Sequence, residues 1–411
     1  MAIATGSAGI GRRGRTSDGK ISEGSQVQPR QVATVKLWAL FGALVIAFEA
    51  YVLIKWVSGP NFVRVEPGPT PVPEFIKIAA SVVTYGGIPA ALWCIWNWVV
   101  KPWQRSRIVT PEGLMLVWFM TFGWFMDPWA NWGYPFFTYN AWLWNMGSWV
   151  HDIPGWTSIT AGSPGAMQAY PVLFIVTAYI WGLAGIIFFQ TWAMRKIRAH
   201  YPTMSTPMLI FIMFWICQVT FLILESVYMR CGIYGYHASI PSLTLWYGHY
   251  YQMPIYETIY AAFWCVGYSS LLFFRNDKGQ TLVERGIDKV QIGPVGKVAL
   301  RFAAMTGMCF IIYNVTYNIP YYITNTIAQQ PWPKHAQENS YWTNGICGPG
   351  AEHACPSQDI PLGTKKSGYV DMKGNLVGAQ GKVVVENKGT WTPPEQVTQF
   401  KTELKDKFWG D

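Results

Sequence analysis

The 411-residue chain is 51% hydrophobic and only 13% charged, and it carries 23 Trp. That composition suits a medium with an apolar centre and aromatic interfacial belts, not a soluble domain. The formal charge of +9 gives no reason to invoke nucleic acid, because the basic residues are segregated by side of the apolar runs, as cytoplasmic retention and anionic lipid require.

In chain order, residues 1–33 are rich in Gly, Ser and Arg with no apolar signal-peptide core, which predicts a disordered cytoplasmic tail. Seven runs long enough to cross a bilayer follow, near 37–56, 76–100, 111–129, 169–193, 207–229, 253–274 and 298–320. The third is the weakest, since Asp127-Pro128 ends it early and Gly123 lowers its helical preference. After about Pro333 the chain turns polar, with one alternating stretch at 382–386 that predicts a strand. The expected architecture is an all-α integral membrane protein. It comprises the tail, a bundle of about seven transmembrane helices over 34–328, and a polar, loosely structured extracytoplasmic extension over 329–411.

Lys and Arg counts test this assignment. One set of loops and the N-terminal tail carry seventeen: Arg12, Arg13, Arg15, Lys20, Arg30, Lys36, Lys101, Arg105, Arg107, Arg195, Lys196, Arg198, Arg275, Lys278, Arg285, Lys289 and Lys297. The opposite loops carry four: Lys55, Arg64, Lys77 and Arg230. The imbalance predicts a multi-pass cell-membrane protein with its N-terminus inside and its C-terminus outside. Cys347 and Cys355 then fall on the oxidising side, where a disulfide persists, and their spacing fits no standard metal pattern; the alternative is two free thiols. Cys94, Cys217, Cys265 and Cys309 lie within the apolar runs as small filler.

The segment from Asp127 to Trp156 holds six Trp, two Tyr and two Phe, and no Lys or Arg. It reads as an aromatic wall carrying Asp127, His151 and Asp152. The other acids in or beside the runs, Glu49, Glu225 and Glu257, lie toward the same side, with Tyr228, His237, His249 and Tyr250 near them. Acids in membrane spans are expensive and face a bundle interior or a wet cavity, so several at one level suggest a shared pocket. Each has a bland alternative: Glu49 and Glu257 pairing with Lys55 and Arg230, Asp127 ending a helix before Pro128, and His151-Asp152 forming a turn before Pro154. The Trp residues by themselves would suit interfacial belts.

Several chemistries lose support. The six His lie singly rather than in the clusters that di-iron hydroxylases need, and there is no P-loop, dinucleotide fingerprint or nucleophile elbow. A metal on His237, His249, Glu225 and Glu257 is possible by residue type, without ligand spacing to support it. What survives is acid–base work in an apolar, aromatic cavity, where one carboxyl group donates a proton and another stabilises a cation.

The stretches KLWALFGALVIAFEAYVLIKWVSGPNF, Lys36 to Phe62, and GYPFFTYNAWLWNMGSWVHDIPGW, Gly133 to Trp156, resemble the actinobacterial AveC-like spirocyclase family, over roughly 36–325. The resemblance implies an integral membrane enzyme of polyketide secondary metabolism that closes a hydrophobic dihydroxy-ketone into a spiroketal, or dehydrates it, in a redox-neutral reaction without a cofactor. The site residues come from the pattern above. Asp127, Asp152 or Glu225 is the candidate acid, His151 a proton relay, and Glu257 a further catalytic carboxyl. Trp129, Trp132, Trp142, Trp144, Trp149, Tyr228, His249 and Tyr250 are candidates for shaping the substrate. The implied partners are a hydrophobic small molecule and the lipid bilayer. Two other readings stay open, a non-enzymatic transporter or accessory subunit and a membrane terpene cyclase, since acids also mark transport paths and alkene cyclisation uses similar groups.

Overall fold

A computed structural model describes residues 30–133, 135–158, 167–328, 331–356 and 368–389. The expected disordered tail lies outside these residues, except that the first helix already begins at Arg30. The chain is mostly helical. The long helices are α1 (Arg30–Ser58), α2 (Glu74–Ser106), α3 (Pro111–Thr121), α4 (Val172–His200), α5 (Thr206–Arg230), α6 (Ile255–Phe273) and α7 (Pro294–Ile327). A helical stretch overlaps each of the seven expected runs. Among the described residues, five helices (α1, α2, α4, α5 and α7) are long and apolar enough to cross a membrane.

The other two fall short for different reasons. α3 ends after 11 residues because Gly123 and Pro128 favour a tighter backbone, and the chain continues as a 3-10 segment over Gly123–Asn131. α6 is long enough but carries Glu257, Thr258, Tyr268 and Ser269, all buried. It packs against both α4 and α5, so its polar groups face protein.

Local sequence sets the helix ends. Thr110 caps α3 by accepting from the Gly113 amide at 3.1 Å, with Pro111 at the first helical position. Ser205 and Pro207 repeat the device on α5. α1 lies along α7 and crosses it so closely that a Cβ at Gly42 would collide with the Ala303 carbonyl. At one end of the bundle Glu112 binds Arg195 at 3.1 Å and Arg275 at 2.5 Å, joining α3, α4 and the end of α6. Arg301 similarly meets buried Glu284 at 2.6 Å.

Among the described residues, three helices contain π-helical turns: Trp96–Val100 in α2, Tyr179–Leu183 in α4 and Asn314–Asn318 in α7. The first and third immediately precede Pro102 and Pro320, whose rings clash with the carbonyl four residues back and donate no hydrogen bond. A widened turn relieves both problems. The second contains no proline.

At the end remote from Glu112, two distant segments pair as antiparallel strands β1 (Phe137–Tyr139) and β2 (Tyr234–Tyr236), with Phe137 opposite Tyr236 and Tyr139 opposite Tyr234. Further short strands are β3 (Thr244–Leu245), β4 (Met253–Pro254), β5 (Tyr369–Val370), β6 (Leu376–Val377) and β7 (Val383–Val385), the last within the expected 382–386 stretch. Part of the expected loose extension is packed onto β1 and β2. Trp332, Tyr341 and Trp342 are buried, and the Ala141 amide donates to the Tyr341 carbonyl at 2.9 Å. Cys347 and Cys355 form a disulfide with Cα atoms 4.8 Å apart. The reason lies in side chains the polar average conceals, since these large aromatics bury much apolar area.

Candidate functional site

Side chains alternate along a strand, so β1 and β2 turn Phe137, Tyr139, Tyr234 and Tyr236 to one face. Thr138 points the other way. Its hydroxyl donates to the Trp342 carbonyl at 2.7 Å, so it accepts from Nε2 of His237 at 2.6 Å, which fixes the proton on that nitrogen. Buried amides hold the ribbon. The Asn131 oxygen accepts from the Phe136 and Phe137 amides at 3.1 and 3.3 Å, and Gln168 donates to the Phe137 carbonyl at 2.9 Å. His237 is enclosed between Trp332 and Trp342. Burial, with His335 nearby, pushes its pKa down to about 3.

The inward face of the ribbon closes one end of a cavity of about 100 Å³ that is partly open to the surroundings. α4 contributes Phe174, Ala178, Tyr179 and Gly182, and α5 contributes Phe221, Leu224, Glu225 and Tyr228. α6 adds Glu257, Ala261 and Trp264, α7 adds Tyr313 and Tyr317, and the 3-10 segment adds Asp127. Three carboxyl groups from three separate segments therefore share one space.

Each carboxyl is held by phenols. Asp127 accepts from Tyr139 at 2.9 Å on Oδ2 and from Tyr179 at 3.0 Å on Oδ1, and the Tyr179 oxygen lies 2.9 Å from that of Tyr313. Glu225 Oε2 accepts from Tyr234 and, at 3.3 Å, from Tyr236. Glu257 Oε1 accepts from Tyr317 at 2.8 Å, whereas its buried Oε2 has no hydrogen-bond partner among the described residues. Trp264 stacks on Tyr313, with centroids 4.3 Å apart and planes 9° apart, presenting π faces beside the acids. Two of the three π turns sit here and carry Tyr179 and Tyr317; such turns recur at functional sites because they aim side chains that a regular helix would not.

Of the residues expected from sequence, Asp127, Glu225, Glu257 and Tyr228 line the cavity together. The others lie elsewhere. His151 and Asp152 are on a separate 3-10 turn, where Asp152 pairs with Lys55 at 3.6 Å. Trp149 is wedged among Trp56, Trp124 and Phe125 and donates to the Phe125 carbonyl at 3.0 Å. Trp129 packs on Phe125 and Phe310. Trp132 is exposed and donates to the Gly155 carbonyl. Trp142 and Trp144 are also exposed, Trp142 lying beneath the Lys77 ammonium. His249 stacks on Tyr251, and Tyr250 packs against His335 and Trp342. Glu49 is fully buried in α1 and does not line this cavity.

The residues that sequence reading missed are the tyrosines. Tyr313, Tyr317 and Tyr321 recur every four residues, the spacing of one helical face, and Tyr234-Gly235-Tyr236 alternates as a strand does. Both signals were present without an indication that they faced acids.

No curated protein and no solved structure matches the chain. The model of one protein family, described as spirocyclase AveC-like, matches residues 106–342. That span begins just before α3, includes every residue lining the cavity and ends at Trp342 on the outer face of the ribbon. It covers more than half of the sequence, and the chain therefore belongs to the AveC-like spirocyclase family.

Proposed function

We propose that the chain is an integral membrane enzyme that converts a hydrophobic dihydroxy-ketone of polyketide type into a spiroketal, with dehydration as the alternative outcome of the same intermediate. The observation that carries this reading is the meeting of Asp127, Glu225 and Glu257 in one tyrosine- and tryptophan-lined cavity. Five long apolar helices support the membrane setting, and the charge asymmetry supports seven passes with the N-terminus inside, α3 and α6 being enclosed by the rest. The family supplies the cyclase-type reaction.

In the proposed mechanism, one substrate hydroxyl adds to the ketone to give a hemiketal. Glu257 then donates a proton to the hemiketal hydroxyl through Oε2, which makes no hydrogen bond among the described residues, and water leaves. The resulting oxocarbenium ion lies between the π face of the Trp264–Tyr313 pair and the negative side of the site, Asp127 and Glu225 with their phenol donors. The second hydroxyl attacks the cation and its proton passes to a carboxylate, leaving spiroketal and one water. Loss of a neighbouring proton before that attack gives the dehydrated product instead. Aromatic walls favour internal capture by excluding competing water.

The test compares membranes containing wild type, Asp127→Asn, Glu225→Gln or Glu257→Gln, each supplied with dihydroxy-ketones and followed by chiral chromatography and mass spectrometry. Wild type is expected to yield a stereochemically biased product lighter by one water, and Glu257→Gln to lose about 10²-fold or more in rate. Absence of acceleration or bias over empty membranes would remove the cyclase assignment, and full activity in all three variants would remove the site.

A further inference from the structure

The walls of the cavity are not equally closed. Phe137, Tyr139, Tyr234, Tyr236, Ala261, Trp264 and Tyr313 are buried; the half-buried lining residues cluster on α4 (Ala178, Gly182 and Leu183) and α5 (Leu224, Glu225 and Tyr228), with Asp127 and Tyr317 half-buried on other walls. The two helices diverge at this level: Ala184–His200 packs directly against α5, but the half of α4 starting at Val172 makes scarcely any approach to it. A Cβ placed on Gly182 would meet no atom within 4 Å. The outer flank of the gap is apolar, with Val219, Ile223 and Val227 exposed on α5.

We propose that the seam between α4 and α5 is the entrance of the cavity, through which a lipophilic substrate passes sideways from the surrounding hydrocarbon, with Ala178, Gly182 and Leu224 forming its sill. This rests on the reading of the chain as a membrane-embedded cyclase. The chemistry of the passage follows from its two ends. Alkyl groups slide past Ala178, Gly182 and Leu224, while the hydroxyl and carbonyl groups meet Glu225 and Tyr228 first, so a polar group bound to a long apolar skeleton is the class that fits. The absence of a side chain at Gly182 keeps the gap wide where it meets the π turn.

Two measurements on the full chain in proteoliposomes test the inference. Gly182→Cys is treated with N-(1-pyrenyl)maleimide, which partitions into lipid, and separately with a charged trimethylammonium thiosulfonate, with wild type correcting for the native cysteines. Labelling severalfold faster by the pyrene reagent is expected; equal or faster reaction with the charged reagent would place the opening in water and overturn the proposal. Secondly, Gly182→Trp plugs the gap, and Gly185→Trp adds the same bulk at a neighbouring open position that does not line the cavity. Gly182→Trp is expected to lower kcat/KM for a dihydroxy-ketone about tenfold while Gly185→Trp stays within about twofold. Equal rates in the two would also overturn it. If no preparation converts any dihydroxy-ketone, the labelling result alone decides the entrance, so failure of the cyclase reading is distinguishable from failure of the seam.

Discussion

Tyr179 donates its hydroxyl to Asp127 at 3.0 Å, and its oxygen lies 2.9 Å from that of Tyr313. Because the Tyr179 proton is committed to the carboxyl, Tyr313 must be the donor in the second bond, and the chain runs Tyr313 to Tyr179 to Asp127. It joins α7, the π turn of α4 and the 3-10 segment after α3 through three side chains. An acid held from two sides by phenols is oriented without any cationic partner, which leaves the cavity free of fixed positive charge to oppose a cationic intermediate.

Tyr179→Phe breaks this chain while keeping the ring. Conversion is expected to fall about tenfold, less than for loss of a carboxyl, and stability to fall by about 1–2 kcal/mol. Turnover in proteoliposomes together with thermal unfolding checks it. Unchanged turnover would mean that the orientation of Asp127 is immaterial.

Thr138→Val leaves the His237 Nε2 proton and the Trp342 carbonyl without their shared partner in a buried setting. A loss of about 1–3 kcal/mol is expected. Hydrogen exchange over 137–139 and 331–356 should report it as local opening, and unaltered protection there would contradict the bridge.

His237 makes the ribbon sensitive to acid. Its pKa of about 3 in the folded chain lies below the ordinary value of 6.5, because burial disfavours the charged ring. Between those limits the unfolded chain binds a proton that the folded chain refuses. Its neutral form therefore contributes full stability above about pH 6.5, and stability declines by up to about 1.4 kcal/mol per pH unit as acid is added. His237→Gln, which retains a donor for Thr138, should flatten the decline measured by thermal unfolding between pH 7.5 and 5. An identical slope in both proteins would assign the sensitivity elsewhere.

Cys347→Ser with Cys355→Ser opens a short covalent loop beside Trp332 and is expected to destabilise the packed part of the extension by about 2–3 kcal/mol. Limited proteolysis should then cleave first within 331–356. Thiol counting by mass spectrometry on denatured, unreduced protein should find both residues blocked in wild type.

Trp142→Phe and Trp144→Phe are expected to leave turnover within about twofold and stability within about 0.5 kcal/mol, since both side chains are exposed and outside the cavity. A large loss of activity in either would return the aromatic segment to the reaction.

The helices were legible because long apolar runs bounded by basic residues have few other physical solutions, and Asp127, Glu225 and Glu257 stood out because a carboxyl in such a run is costly. The aromatic partners were not legible to the same degree. Whether Tyr139 or Trp142 turns inward depends on the pairing of β1 with β2, a register set by segments about a hundred residues apart. Asp152 and His151 looked equivalent to Asp127 by composition, and only the path of the chain takes Asp152 to Lys55 instead. The packed aromatics at 332–342 were hidden by the polar average of the extension around them.

The π turn at Tyr179–Leu183 divides α4 into two halves with separate masters. At its first residue, Tyr179 is positioned by Asp127; beyond it, Arg195 is positioned by Glu112 at the opposite end of the bundle. A regular helix has a single angular phase, about 100° per residue, and would have to compromise between these two anchors. The widened turn acts as a vernier, absorbing the mismatch so that both are met. Tightening it to a regular turn with the same number of residues would shift one half by about 100° against the other and turn one of the two anchors away from its partner.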